Sequence, residues 1–142
     1  MDCTIHRLVA DVALFSEGHI ALVRYRDTER YDGERGWFLP DDLLGHGEHP
    51  SDAARRILHE QVALDGLEVR LDHVESFGGE RSVWHLVFHH RAQVDGQPDL
   101  VQGGNVASAA WFPLEALPDR RDVAHGGWAF DVLEAMRTSD RR

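Results

Sequence analysis

A tight loop that feeds a helix through a proline constrains this chain more than any other feature. The segment runs Leu39-Pro40-Asp41-Asp42-Leu43-Leu44-Gly45-His46-Gly47-Glu48-His49-Pro50 and continues Ser51-Asp52-Ala53-Ala54-Arg55-Arg56-Ile57-Leu58-His59-Glu60-Gln61. Pro50 suits the first helical position, because its φ is preset and its missing N–H would be unpaired there anyway. Asp52 adds negative charge near the positive end of the helix dipole. His49 falls at the cap position, for which an imidazole is a poor choice. The pattern predicts a helix from Pro50 to Ala63. On a 3.6-residue helix Ala53, Ile57 and Leu64 lie close together, with Ala54 and Leu58 to one side. Arg56 and Glu60, four apart, sit on an adjoining face one turn from each other.

Strands are expected on both sides of this unit. His6 to Phe15 reads as a first strand whose apolar residues are Val9, Val12, Ala13 and Leu14. Ser16-Glu17-Gly18 is a turn, and His19 to Tyr25 a second strand. Arg26 to Gly36 is a charged loop leading into Trp37-Phe38-Leu39. Glu68 to Phe77 is extended. Ser82 to Val94 alternates, with Trp84, Leu86 and Phe88 on one face and His85, Val87 and His89 on the other. Gly127 to Arg137 reads as a terminal helix. The order is that of an α/β fold, and 142 residues suffice for one domain, 1–142, with its own core.

Charge and residue usage exclude several functions. A net charge of −10 argues against a nucleic-acid polymer as partner, since backbone binding needs a basic footprint. Every basic residue other than histidine is arginine, so Schiff-base chemistry and a Walker-type phosphate loop, both of which need lysine, are excluded. Cys3 is the only cysteine, so no intrachain disulfide can form, which fits a reducing compartment. Cys3 lies in an N-terminal segment expected to fray, which makes it a poor nucleophile. No signal-peptide pattern or membrane-length apolar run occurs, and a cytoplasmic protein is the expectation.

The Leu39–Gln61 segment resembles the Nudix box: Gly, five residues, Glu, seven residues, Arg-Glu, an aliphatic residue, any residue, Glu-Glu, any residue, Gly and a further aliphatic residue. Glu48 matches the first Glu, Arg56 the Arg, Leu58 the aliphatic position, Glu60 the first Glu of the pair and Leu64 the last aliphatic position. Trp37-Phe38-Leu39-Pro40, Gly47 and Ala53-Ala54 also agree. The departures fall on the chemistry. Ile57 and Gln61 stand where Glu is expected, Asp41-Asp42 replace Gly-Gly, and Ala63 replaces Gly. The resemblance covers about His6 to Met136. It implies an α/β/α sandwich with a mixed β-sheet, often a homodimer, and a structural pair between Glu48 and Arg56.

In the family, Mg²⁺ or Mn²⁺ is held by carboxylates at the positions of Ile57, Glu60 and Gln61, often with another acid from a loop before the last core strand. Here that loop is Gln102 to Trp111, with Asn105 about where the acid often sits. Only Glu60 is kept, as catalytic residue and metal ligand. Asp41 and Asp42 are candidate replacement ligands, because the family's backbone approaches the metal there, although Asp is also a common turn residue. His46, His49 and His59 raise a softer metal site, but His59 lies roughly 100° around the helix from Glu60. Arg24, Arg26 and Arg35 are candidates for phosphate and Trp37, Tyr25 or Trp84 for stacking. His85 and His89 share a strand face and could share a site.

Two functions follow from the resemblance. One is hydrolysis of a nucleoside diphosphate linked to another moiety, with metal-dependent activity weakened or altered. The other is a catalytically inactive binding or regulatory module for a nucleotide or diphosphate-containing small molecule. Isoleucine cannot ligate a cation and glutamine is a weaker donor, so the site residues favour reduced hydrolysis.

Overall fold

The structure, a computed structural model, describes residues 6–29, 33–78 and 83–140. Its elements are β1 (His6–Ser16), β2 (His19–Tyr25), β3 (Asp41–Leu43), α1 (Pro50–Val62), β4 (Val69–Gly78), β5 (Trp84–Gln93), β6 (Val106–Pro113) and α2 (Ala124–Asp140). The strands form one mixed sheet in the order β4-β5-β1-β2-β6, with β3 also on β1. β1 and β5 run parallel from His6↔Trp84 to Phe15↔Gln93. The other described strand pairs are antiparallel.

The far edge of β1 is divided, and this division creates the site. β3 pairs with Val9, Ala10 and Asp11, whereas β2 pairs only with Phe15 and Ser16. Between them the Val12 N–H donates to the Pro40 carbonyl at 3.0 Å. β2 then diverges to pair with β6. The β1–β2 turn is made by Glu17 and Gly18, both with positive φ (49° and 76°). A two-residue turn of this hand matches the twist of the strands it joins.

Helices cover both faces, giving the α/β/α sandwich. Ala10, Val12 and Leu14 of β1 pack with Ala53, Ala54, Ile57, Leu58 and Val62 of α1. The two alanines allow the helix backbone to lie close to the sheet. On the other face Ala13, Leu22 and Leu39 meet Ala129, Val132 and Met136 of α2. Burying one aliphatic side chain such as Ile57 contributes about 1.5–3 kcal/mol.

Several boundaries differ from expectation. Asp41 and Asp42 form a strand with β1 instead of a turn. The loop expected through Trp111 ends at Val106, where β6 begins its pairing with β2. α2 starts earlier than Gly127, but His125, Gly126 and Gly127 have left-handed φ of 55°, 65° and 91°, so regular helix begins only after them. Cys3 and Ser82 lie outside the described residues. No helix among the described residues is long and apolar enough to cross a membrane.

Candidate functional site

The loop before α1 is braced from within. His49 is the N-cap after all: its Nδ1 accepts the Ser51 N–H at 3.2 Å. An unprotonated ring nitrogen can do the work of the usual cap oxygen. Glu48 Oε1 accepts the Gly45 N–H at 2.8 Å, closing the loop on itself.

Arg56 is the centre of the box. Its Nε and Nη2 hold Glu48 Oε2 and Oε1 at 2.9 and 3.0 Å, the expected pair in bidentate form. Nη1 donates to Asp42 Oδ2 at 2.9 Å and to Glu60 Oε2 at 3.2 Å, and Nη2 also donates to the Leu43 carbonyl at 3.0 Å. All five guanidinium N–H donors are thus used. The Arg56 guanidinium, with the Gly45 N–H, holds the Glu48 carboxyl below its usual range. Glu48 and Asp42 in turn raise the Arg56 pKa further, despite partial burial. Asp42 Oδ1 is engaged by the Leu43 N–H at 2.8 Å. Asp42 and Glu60, two candidate ligands, therefore converge on a guanidinium.

The remaining box positions are occupied by packing and by amide chemistry. Ile57 is fully buried in the core. Gln61 is buried, and its Nε2 donates to the Asp41 backbone carbonyl at 2.8 Å. Its Oε1 accepts from the Tyr25 hydroxyl at 2.9 Å, while that hydroxyl accepts the Asp41 N–H at 2.9 Å. This neutral network ties α1, β2 and β3 together below the box. Tyr25, expected as a stacking residue, is consumed here. The donor set does not fit Mg²⁺ or Mn²⁺, which want several convergent anionic oxygens. Among the described residues no group of three His, Cys, Asp or Glu side chains is disposed to hold a metal ion. His59 instead meets Asp65 on the surface at 2.5 Å, and Asn105 binds the backbone of Asp27 through both ends of its amide, at 3.0 and 2.7 Å.

The candidate phosphate residues come together, and the Trp37 ring beside them is already covered by Arg24. Arg24, Arg26 and Arg35 line one recess with Tyr25, Thr28, Gly36, Arg121 and Asp122. Trp37 is packed edge-on against Phe112 and carries the Arg24 guanidinium 4.3 Å above its ring. Arg26 donates to the Gly104 carbonyl at 3.2 Å. Trp84 lies on the other sheet face, its indole bound to Ser76 Oγ at 2.8 Å.

The best-formed cavity lies elsewhere, between the sheet and the start of α2. It encloses about 280 Å³, near the lower end of small-molecule sites. Its floor is the odd-numbered face of β1, β4 and β5: Arg7, Val9, Glu75, Phe77, His85 and Val87. Asp41, Asp42 and Leu43 of β3, with His125 and Trp128 at the start of α2, complete its lining. Phe77 and His85 stack with their rings 4.8 Å apart and nearly parallel, at 4°.

Beneath this cavity runs a buried charge relay that the sequence reading overlooked. Asp11 and His89 are both fully buried. His89 Nδ1 lies 2.8 Å from each Asp11 carboxylate oxygen, and its Nε2 lies 2.9 Å from Glu75 Oε1. The Trp128 indole donates to the same Oε1 at 3.3 Å. Burial by itself lowers the His89 pKa, but Asp11 and then Glu75 outweigh it and push it up to about 9. The His89 imidazolium in turn holds the Glu75 carboxyl below its usual range, against the effect of burial. The available signal was Asp11 itself, a lone acid inside the apolar run Val9 to Leu14, which could not be buried there without a partner.

A mixed sheet between two helices, with a Glu–Arg-braced loop and helix at its divided edge, defines a Nudix-type domain. The sequence profile described as the NUDIX domain matches residues 5–132, and the chain belongs to the Nudix family. No curated protein matches it. Among solved structures it resembles a NUDIX hydrolase from Nitrosomonas europaea, with TM-score 0.73 and 18% identity, covering 93% of this chain and 88% of that one. The NUDIX domain of Shewanella oneidensis NrtR, solved in complex with ADP ribose, has TM-score 0.72 and 17% identity, covering 97% and 89%. A MutT/nudix family protein from Enterococcus faecalis has TM-score 0.67 and 17% identity; the match covers 79% of this chain but only 45% of that one. At these identities the likeness is one of fold.

Proposed function

We propose that this chain is a Nudix-fold binding module for a nucleoside diphosphate derivative, in which metal-dependent hydrolysis is absent or strongly weakened. One observation carries the reading. The Gln61 amide donates 2.8 Å into the Asp41 carbonyl, beside a fully buried Ile57. An N–H donor and a hydrocarbon thus stand where the family places anionic ligands. The pocket next to the box and the Arg24, Arg26 and Arg35 recess supply aromatic and cationic surfaces suited to such a ligand. The ADP-ribose complex of the NrtR domain supports the ligand class.

Residual hydrolysis keeps one foothold. Glu60 is half-exposed, and only its Oε2 is engaged by Arg56, which leaves Oε1 as the candidate ligand or base. Calorimetric binding and product release with ADP-ribose and related nucleoside diphosphate derivatives separate the two functions. The expected result is binding that is indifferent to Mg²⁺ and Mn²⁺, with no turnover above that of Glu60→Gln. Metal-dependent turnover that disappears in Glu60→Gln would establish the hydrolase instead.

A further inference from the structure

We propose that Glu75 is the specificity-determining residue of the cavity between the sheet and α2, and that it selects a flat heteroaromatic ring bearing an exocyclic amino group. This rests on the binding function above and names the part of the ligand that the cavity takes.

Three observations meet at this residue. First, much of the cavity lining is aromatic: the stacked Phe77–His85 pair and Trp128, whose ring lies 6.2 Å from that of Phe77. Aromatic faces reward a planar π-system. Second, the volume of about 280 Å³ suits a single ring system better than a complete dinucleotide. Third, the polarity of the Glu75 carboxylate is fixed from behind. Oε1 faces both internal donors, His89 Nε2 at 2.9 Å and Trp128 Nε1 at 3.3 Å. Oε2 takes no hydrogen bond from a described residue, and Glu75 lines the cavity.

A carboxylate held ionised in this way accepts hydrogen bonds and donates none. It rewards a ligand that offers N–H and penalises one that offers only a ring nitrogen or a carbonyl oxygen at the same place. Adenine, guanine and cytosine carry such an amino group; unsubstituted purine does not. Arg7 and the β3 residues Asp41, Asp42 and Leu43 line the same cavity, so the remainder of a nucleotide would extend along them.

Isothermal titration of the full chain with adenosine, purine riboside and ADP-ribose tests this. Hydrogen bonds to a charged partner predict that adenosine binds roughly ten- to a hundredfold more tightly than purine riboside. In Glu75→Leu, shown to be folded by its melting transition, the two nucleosides should bind equally. The wild-type comparison alone keeps the proposal open to refutation if that variant does not fold. ADP-ribose binding with equal affinities for adenosine and purine riboside would overturn the role of Glu75 and leave the binding function standing. Failure of all three ligands to bind would overturn both.

Discussion

Arg56→Ala is expected to lower the stability of the protein by about 3 kcal/mol, at the lower end of the cost of breaking a buried ion pair. The Arg56 side chain is 28% exposed, so solvent offsets part of the loss. The cost has two sources. Three carboxylates, those of Glu48, Asp42 and Glu60, lose their common counter-charge and repel one another. The Leu43 carbonyl and the loop closed by Glu48 also lose their anchor on α1. Arg56→Lys should recover only part of this, because an ammonium cannot reproduce the bidentate contact. Denaturant titration is the measurement. A loss below about 1 kcal/mol, the range of an exposed pair, would show that the box is braced by something other than Arg56.

The second large effect lies in the relay. His89→Leu leaves the fully buried Asp11 carboxylate without the donor that both its oxygens share, at a cost of about 3–5 kcal/mol. Replacing both residues, Asp11→Leu with His89→Leu, should restore most of the stability, since the buried charge leaves together with its partner. The groups around His89 are Asp11 on β1, Glu75 and His73 on β4 and Trp128 on α2, the His73 ring lying 4.6 Å away. The His89 pKa is raised from 6.5 to about 9 in the fold. Its contribution is therefore complete below pH 6.5 and is lost as pH rises through 9. The wild type should lose roughly 3 kcal/mol over that interval, and His89→Leu should show a much flatter profile. A wild-type stability that rises between pH 6.5 and 9 would contradict the assignment of a buried imidazolium.

The parts of the fold that were legible in the sequence were those written in periodicity and turn chemistry. Pro50 and the alanine–isoleucine stripe placed α1, and the alternation around Val87 placed β5 and its two faces. The Glu48–Arg56 pair followed from the resemblance of the box. What escaped reading depended on contacts between residues far apart in the chain. Asp41 and Asp42 look like turn residues, yet the divided edge of β1 offers them a partner strand. Asp42 was a candidate metal ligand, but its carboxylate meets a guanidinium fourteen positions further on. Trp37 has the composition of a stacking platform, and what rests on it is Arg24. Asp11 and His89 are 78 positions apart and meet only through the parallel register of β1 and β5.

The box itself divides into a frame and a chemistry. Glu48, Arg56, Ala53, Ala54 and Leu58 preserve the frame. At the chemical positions Ile57 has joined the core and Gln61 has joined a neutral network with Tyr25. Shifted ionisation marks the frame pair Glu48 and Arg56 and, outside the box, His89 and Glu75 under and beside the aromatic cavity.

Anomalous diffraction from crystals soaked in Mn²⁺ distinguishes a box closed by Arg56 and Gln61 from one that takes a metal ion. No manganese peak is expected within bonding distance of Glu60, Asp41 or Asp42, with the Gln61 amide still on the Asp41 carbonyl. A peak bridging Glu60 and either aspartate, with Gln61 or Arg56 displaced to admit it, would return the box to metal-dependent catalysis.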